Sequence, residues 1–401
     1  MQAYGQEKTT KDLMKLAFHY HTPAITKNCK VVLPAYLGLF LDSIAPHFDE
    51  LLCIMHTPSP SQMEMMDYEI KSENVKLFSL SPHSSIPSRY FNSSPSVKVI
   101  NEVLTLADVV LIRASTPLLP FFKKHWKKPI ALMLVSDATL GLANLPQPGW
   151  RKKLIMAWAS WYAKKELQLA RKSLTIVNSQ MLYNELADKV KDLNLIQTTT
   201  LSTNDFVVRE DSCQNQKIRL IFAGRISRIK GILDIIEAMA NLRKEGYDLY
   251  FDLVGMVDKS SGILEEMKSL SEKLEIKGLV NYLGYRTAGS QLLDEYRNSD
   301  VFVIASQASS EGFPRTLWEA MASSTPIVAT AVSSIPSFTK GVAELAEPKN
   351  IKDFTDKLRT VLSNGERRKE MIREGRALAK SNTLEVRGKE LSDLIKLRYK
   401  A

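Results

Sequence analysis

Cysteine is scarce: Cys29, Cys53 and Cys213 are the three in 401 residues, an odd number, scattered and without the paired spacing of a metal site. A disulfide framework and a zinc module are therefore excluded, and a reducing, cytoplasmic setting is the simplest reading. Long apolar runs are missing too. No stretch approaches the roughly eighteen uncharged apolar residues of a membrane-spanning helix, and the opening MQAYGQEKTTKDLMKLAFHYH carries no obvious secretion signal. The first thirty residues read as a short helix or a poorly ordered arm. Internal repeats and low-complexity segments are also absent.

Acidic residues are nearly absent from one region. Between Arg113 and Lys172 twelve Lys or Arg face only Asp137 and Glu166, so the whole net charge of +10 resides there. Such a patch suits a polyanion. Without a Gly-aromatic or Cys-His recognition motif nucleic acid is not the expected partner, and anionic lipid is the competitor. Inside this region lies GWRKKLIMAWASWYAKKELQLARKS, Gly149 to Ser173. Trp150, Leu154, Trp158 and Trp161 are spaced to line one helical face, and seven basic residues crowd the ends. Two readings stand: an interfacial helix on an anionic bilayer, or a core helix with inward aromatics.

What is present describes a soluble globular chain, 44% apolar and 24% charged, long enough for two domains. In the first half, apolar runs recur at Val31–Leu33, Leu51–Met55, Val75–Leu80, Val109–Ile112, Ile130–Val135 and Leu174–Val177. Helical or polar segments separate them, the alternation of a parallel sheet covered on both faces, and a Rossmann-like domain follows. Ligands gather at the carboxyl ends of such strands, so the loops after Leu33, Met55, Ile112 and Val135 are candidates. Gly38 either opens a helix near an acceptor or is a turn residue. The Pro-rich stretches from His56 to Ser61 and from Ser81 to Pro95 read as loops around an acceptor cleft. The six histidines read as ordinary surface or loop residues.

The most informative stretch is Val301 to Thr330, VFVIASQASSEGFPRTLWEAMASSTPIVAT. A buried strand passes through a Ser-rich turn to a helix opened by Pro314. Glu311 on the loop and Glu319 on the helix are eight positions apart; Gly312 admits a close ligand, and Arg315 and Thr316 sit where unpaired amides favour an anion. Sugar hydroxyls, phosphates and a ribose can thus be held in order. The same spacing also fits a capped helix with two solvated glutamates.

The segment EGFPRTLWEAMASSTPIVAT resembles the Glu-x7-Glu motif of the family-4 glycosyltransferases, retaining enzymes of the GT-B fold, almost position for position. The resemblance implies two Rossmann-like α/β domains with parallel sheets facing across a cleft. Residues 1–205 would bind the acceptor and residues 206–381 a nucleotide sugar, with the last helix, about 382–401, crossing back. Gln197 to Phe206 would be the hinge. It implies that Glu311 with the Gly312, Phe313 and Pro314 backbone meets the donor sugar, that Arg315 and Thr316 lie near the diphosphate, and that Glu319 holds the ribose. The strand Ile218–Ala223 and GRISRIKG after it match the family's GR-x4-KG element: Gly224 gives the turn, and Arg225 and Lys230 face the diphosphate. Gly255 ends the next strand, and Tyr285 lies where the family places the nucleobase. Where a family histidine is expected near the donor, Ser136 and Asp137 stand instead; Asp137 suits a polar contact to acceptor or sugar, or a helix cap.

The implied function is metal-independent transfer of a UDP- or GDP-linked sugar, with no cofactor, to a glycan or lipid-linked acceptor in cell-surface polysaccharide or glycolipid synthesis. The setting would be cytoplasmic or peripheral on the membrane. A nucleotide-sugar epimerase or hydrolase, or a non-catalytic partner subunit, are the alternatives.

Overall fold

The computed structural model describes residues 14–125, 129–135, 149–213, 217–257, 261–307 and 313–399. The strands are β1 Lys15–Pro23, β2 Ile25–Lys27, β3 Lys30–Leu33, β4 Glu50–His56, β5 Tyr68–Glu69, β6 Val75–Leu80, β7 Val109–Ala114 and β8 Ile130–Leu134. Then come β9 Leu174–Val177, β10 Leu193–Leu195, β11 Lys217–Ala223, β12 Asp248–Val254, β13 Val280–Gly284, β14 Val301–Ile304, β15 Ile327–Thr330 and β16 Glu344–Ala346. The helices are α1 Ala35–Ile44, α2 Ile86–Phe91, α3 Ser94–Leu106, α4 Leu119–His125, α5 Gly149–Ala170, α6 Gln180–Leu186, α7 Ile232–Lys244 and α8 Ile263–Lys273. They continue with α9 Ser290–Arg297, α10 Arg315–Ala322, α11 Ile335–Thr339, α12 Ile351–Ser363, α13 Gly365–Lys380 and α14 Leu384–Tyr399.

A seven-stranded sheet has the order β10-β9-β8-β7-β1-β4-β6, and a six-stranded sheet β13-β12-β11-β14-β15-β16. The second is parallel throughout, and the first is parallel from β8 to β6. Each is the doubly wound α/β pattern expected from the apolar runs. Strands buried on both faces need continuous Val, Ile, Leu and Phe, which β4, β7, β8 and β14 supply. In the first sheet the strand order turns back between β1 and β7, and in the second between β11 and β14. At such a reversal neighbouring connections leave in opposite directions, opening a crevice at the carboxyl ends.

The chain divides into two compact units. One comprises Met1–Leu134, Lys164–Thr175 and Leu391–Ala401, the other Val135–Ala163 and Ile176–Glu390. In the first, the Tyr399 hydroxyl at the end of α14 donates to the Ile130 carbonyl at 2.6 Å and accepts from the Leu174 amide at 2.8 Å. In the second, the stretch read as a hinge is tied down: the Leu384 amide donates to the Leu201 carbonyl, and the Ser202 hydroxyl donates to Glu385, each at 2.6 Å.

Three readings are corrected. Residues 15–23 are neither helix nor loose arm but β1, an interior strand of the first sheet. Its histidines and tyrosine hide the apolar alternation, although the strand is buried along nearly its whole length. Val31–Leu33 belongs to β3 in a small three-stranded sheet with β2 and β5, so the loop after Leu33 is not at the edge of the main sheet. The segment from Ser81 to Pro95 is no plain loop; it holds α2 and the start of α3, both with proline in the first turn, where its missing N–H costs nothing.

Candidate active site

At the reversal of the second sheet, the turn after β11 is fixed by glycine. Gly224 donates its amide to Val254 O at 3.0 Å, and Gly255, at φ +142°, is packed so closely that a Cβ would stand 1.8 Å from Gly224 O. Seven residues on, Gly231 takes φ +65°, and a Cβ there would stand 2.0 Å from Ala305 O. The loop carrying Arg225 and Lys230 is thereby pressed against the end of β14. Two bonds hold it: Gln307 N to Ile229 O at 2.8 Å, and Gln307 Nε2 to Asp234 Oδ2 at 2.7 Å. Arg225 is exposed and Lys230 half-buried. Burial, then the neighbouring Arg225, brings the Lys230 ammonium down to about 8.

Glu311 and Gly312, beyond Gln307, lie outside the described residues. After them, Phe313 packs its ring on Trp318 at 4.6 Å and Phe338 at 5.4 Å. Pro314 is the cap residue of α10 and provides no side-chain cap to its first turn, where Arg315 and Thr316 sit. Those amides and the helix dipole suit an anion. Glu319, one turn on, is 4% exposed. Its Oε1 accepts from Thr200 Oγ1 at 2.6 Å and its Oε2 from Tyr296 Oη at 3.1 Å. Burial raises this carboxyl, opposed by Thr200, Arg315 and Tyr296. Each oxygen keeps one lone pair for a further donor. Tyr285, past β13 at the same end of the sheet, is 42% exposed.

The structure therefore brings Gly224, Arg225, Lys230 and Gly255 together beside the end of β14. Thr200 and Tyr296, which orient Glu319, were invisible in the sequence because they lie 119 and 23 residues from it.

In the first unit, Gly38 is a buried residue of α1, and the Tyr68 ring stands where a Cβ would be, 2.2 Å away. That packing accounts for the glycine without a ligand. Asp137 and Ser136 lie outside the described residues. The reading of the histidines as ordinary surface or loop residues is wrong for His19 and His56. His19 and His56 are fully buried at the carboxyl ends of β1 and β4, with His21 and His83 beside them. Arg113, at the end of β7, is buried with its guanidinium over the Tyr20 ring at 4.8 Å. The available signal was HYH closing β1 at the carboxyl edge.

On α5, the buried face is Ala159, Tyr162, Glu166, Leu169 and Ala170. Trp150 and Leu154 are each 62% exposed, Met156 and Trp161 are exposed, and Trp158 is half-buried, stacked on Tyr162 at 5.3 Å. The inward-packing alternative therefore fails for Trp150 and Trp161. Among the described residues no helix is long and apolar enough to cross a membrane, and no group of three or more His, Cys, Asp or Glu is disposed to hold a metal ion.

Two doubly wound parallel sheets, the second with a Gly-Arg loop beside the end of β14, are the pattern of the GT-B fold. Residues 207–378 match the family described as glycosyl transferases group 1. The chain is 30% identical over 167 residues to a D-inositol 3-phosphate glycosyltransferase of Arthrobacter sp., covering 41% of this chain and 38% of that protein. It is 28% identical over 130 residues to the putative colanic acid biosynthesis glycosyltransferase WcaL of Escherichia coli, covering 31% and 30%. The chain thus matches about a third of the length of these relatives. Among solved structures, Anabaena HepE in complex with UDP and glucose superposes with a TM-score of 0.72 at 16% identity, over 96% of this chain and 100% of that one. Sucrose-phosphate synthase from Thermosynechococcus elongatus gives 0.75 at 15%, over 96% and 99%. Identities this low speak for the fold alone.

Proposed function

We propose that the protein is a retaining glycosyltransferase that moves a sugar from a nucleotide-sugar donor, held on the second unit, to a glycan or lipid-linked acceptor. The observation that carries this is the convergence of Arg225, Lys230 and the end of β14, the strand that precedes α10, at the reversal of the second sheet. Cations and amides at that place neutralise the charge that develops on a departing nucleoside diphosphate, the task a metal would otherwise perform. Glu311 with the Gly312–Pro314 backbone receives the donor sugar, Glu319 the ribose and Tyr285 the base. The donor is UDP- or GDP-linked; HepE, which shares the fold, was crystallised with UDP and UDP-glucose.

The Trp150 face of α5, with Arg151, Lys152 and Lys153 beside it, rests on an anionic bilayer, which places the enzyme peripherally on the cytoplasmic face and points to cell-surface polysaccharide or glycolipid synthesis. Calorimetry with UDP, GDP and their sugar conjugates tests the donor reading: heat and sugar transfer onto membrane extracts are expected, and silence with every nucleotide sinks it. Co-sedimentation with anionic and neutral liposomes tests the bilayer reading. Charge-dependent binding lost in Trp150→Ala/Trp161→Ala is expected, and equal pelleting with both liposomes refutes it.

A further inference from the structure

The Glu319 carboxylate is gripped from two sides by groups remote from it in the chain. Thr200 Oγ1 donates to its Oε1 at 2.6 Å and Tyr296 Oη to its Oε2 at 3.1 Å, and all three residues are buried. A carboxylate has about four lone-pair positions, so one is left on each oxygen. Two acceptors on one carboxylate match two neighbouring hydroxyls of a ring.

Both donors are themselves fixed. Thr200 lies in the linker stretch, whose backbone is pinned beside it: Leu201 N donates to Thr199 Oγ1 at 3.1 Å, and Leu201 O accepts from Leu384 N at 2.6 Å. Tyr296, on α9, is fully buried with its ring 5.6 Å from that of Phe302. Side chains supported in this way set the direction of the group they touch. Anchoring the linker does not require Glu319, because Val207 N to Ala322 O at 3.2 Å and Ser324 Oγ to Val207 O at 2.7 Å already join the linker to the end of α10.

The charges around the carboxylate bear on its state. Burial pushes the Glu319 carboxyl above its ordinary value, and Asp205 in the linker adds to this; the Thr200 hydrogen bond is foremost among the groups that oppose it, followed by Arg315 on α10 and by Tyr296. Without the Thr200 hydroxyl the carboxyl takes up a proton at higher pH, and a protonated carboxyl has lost an acceptor.

We infer that Thr200 is a positioning residue for the nucleotide: together with Tyr296 it fixes which lone pairs of Glu319 face the ribose, so that both ring hydroxyls are taken at once. This rests on the donor reading, in which Glu319 receives the ribose.

The test is calorimetry of the full chain with UDP, GDP and their 2′-deoxy forms between pH 5 and 7, on the wild type, Thr200→Val and Thr200→Ser, beside urea denaturation of each. Lys230, at about 8, stays largely charged across that range, and ionisation of the nucleotide is common to all the proteins. The wild type should hold the ribonucleotide about tenfold or more above its 2′-deoxy form. Thr200→Val should bind the ribonucleotide about tenfold more weakly, narrow that gap, and on acidification lose affinity at a higher pH than the wild type. Thr200→Ser restores the hydroxyl and should keep the wild-type profile. Thr200→Ala carries the same expectations as Thr200→Val if the latter fails to fold. An unchanged pH profile and an unchanged gap in the variants without the hydroxyl overturn the proposal whatever the urea midpoint does, since a structural tie moves stability alone. Thr200→Ser behaving as Thr200→Val overturns it too. If neither UDP nor GDP binds the wild type, the donor reading falls and the proposal with it; binding indifferent to Thr200 leaves the donor reading standing and removes only the proposal.

Discussion

Protonation of Lys230 should set how tightly the diphosphate end of a nucleotide is held. Burial and Arg225 lower this lysine to about 8, so in the empty site it is an ammonium below that pH and an amine above it. A diphosphate favours the ammonium, so binding takes up a proton and affinity falls as pH rises. If only the charged form binds, the competent fraction drops from about nine-tenths at pH 7 to about one-tenth at pH 9, and the apparent Kd rises about tenfold. Lys230→Arg keeps a charge that does not titrate in this range, and any ionisation of the nucleotide itself is common to both proteins. Calorimetric titration with UDP from pH 7 to 9, in two buffers of different ionisation enthalpy, reads both the affinity and the proton uptake. The expected result is a pH-dependent Kd in the wild type and a flatter one in the arginine variant; parallel curves would refute the reasoning. The stability of the unliganded protein moves the other way. The folded lysine lies below its unfolded value of 10.5, so the native state binds fewer protons between about 8 and 10.5 and gains stability as pH rises through that window.

Gly255→Ala puts a Cβ 1.8 Å from Gly224 O at a φ of +142°; a loss of about 1–3 kcal/mol is expected from the backbone alone, with weaker UDP binding. An unchanged urea midpoint would show that the turn is not constrained. Asp211→Ala leaves Arg368 without its carboxylate, 2.9 Å away, in a site where the side chains are 6% and 2% exposed. Chemical denaturation should show a loss of about 3–5 kcal/mol, and a loss below about 1 kcal/mol would mean that the Val361 and Leu362 carbonyls, which also receive this guanidinium, suffice.

The second unit was the more legible half. The run Ile218–Ala223 became Lys217–Ala223 and the helix Ile232–Lys244 kept both its ends, because a parallel strand buried on both faces is a continuous apolar run and glycine marks where it stops. Glycine also marked the site: Gly231 and Gly255 are obliged by close approach of backbone to backbone, and Gly224 by its φ of +141°. The first unit was harder because β1 ends in His19, Tyr20, His21 and Thr22. A buried histidine is acceptable only if its nitrogens are met, and the groups that meet His19 come from Ile54 and Thr116, 35 and 97 residues away. No local pattern records such a partner.

The two crevices differ in how they are built, and that difference explains which could be found. At the β11/β14 reversal the charged groups ride on single loops that leave one strand, so the turn glycine, the cations and the start of the next helix are contiguous and form a motif. At the β1/β7 reversal each element contributes one or two side chains: β1 gives His21, β4 His56, the segment after β6 His83, α2 Arg89 and β7 Arg113. Their spacing in the chain is fixed by strand and crossover lengths, which chemistry does not constrain, and so nothing repeats or clusters. Side chains at strand ends are held more rigidly than loop residues. Such a grouping becomes visible only when the strand order is known.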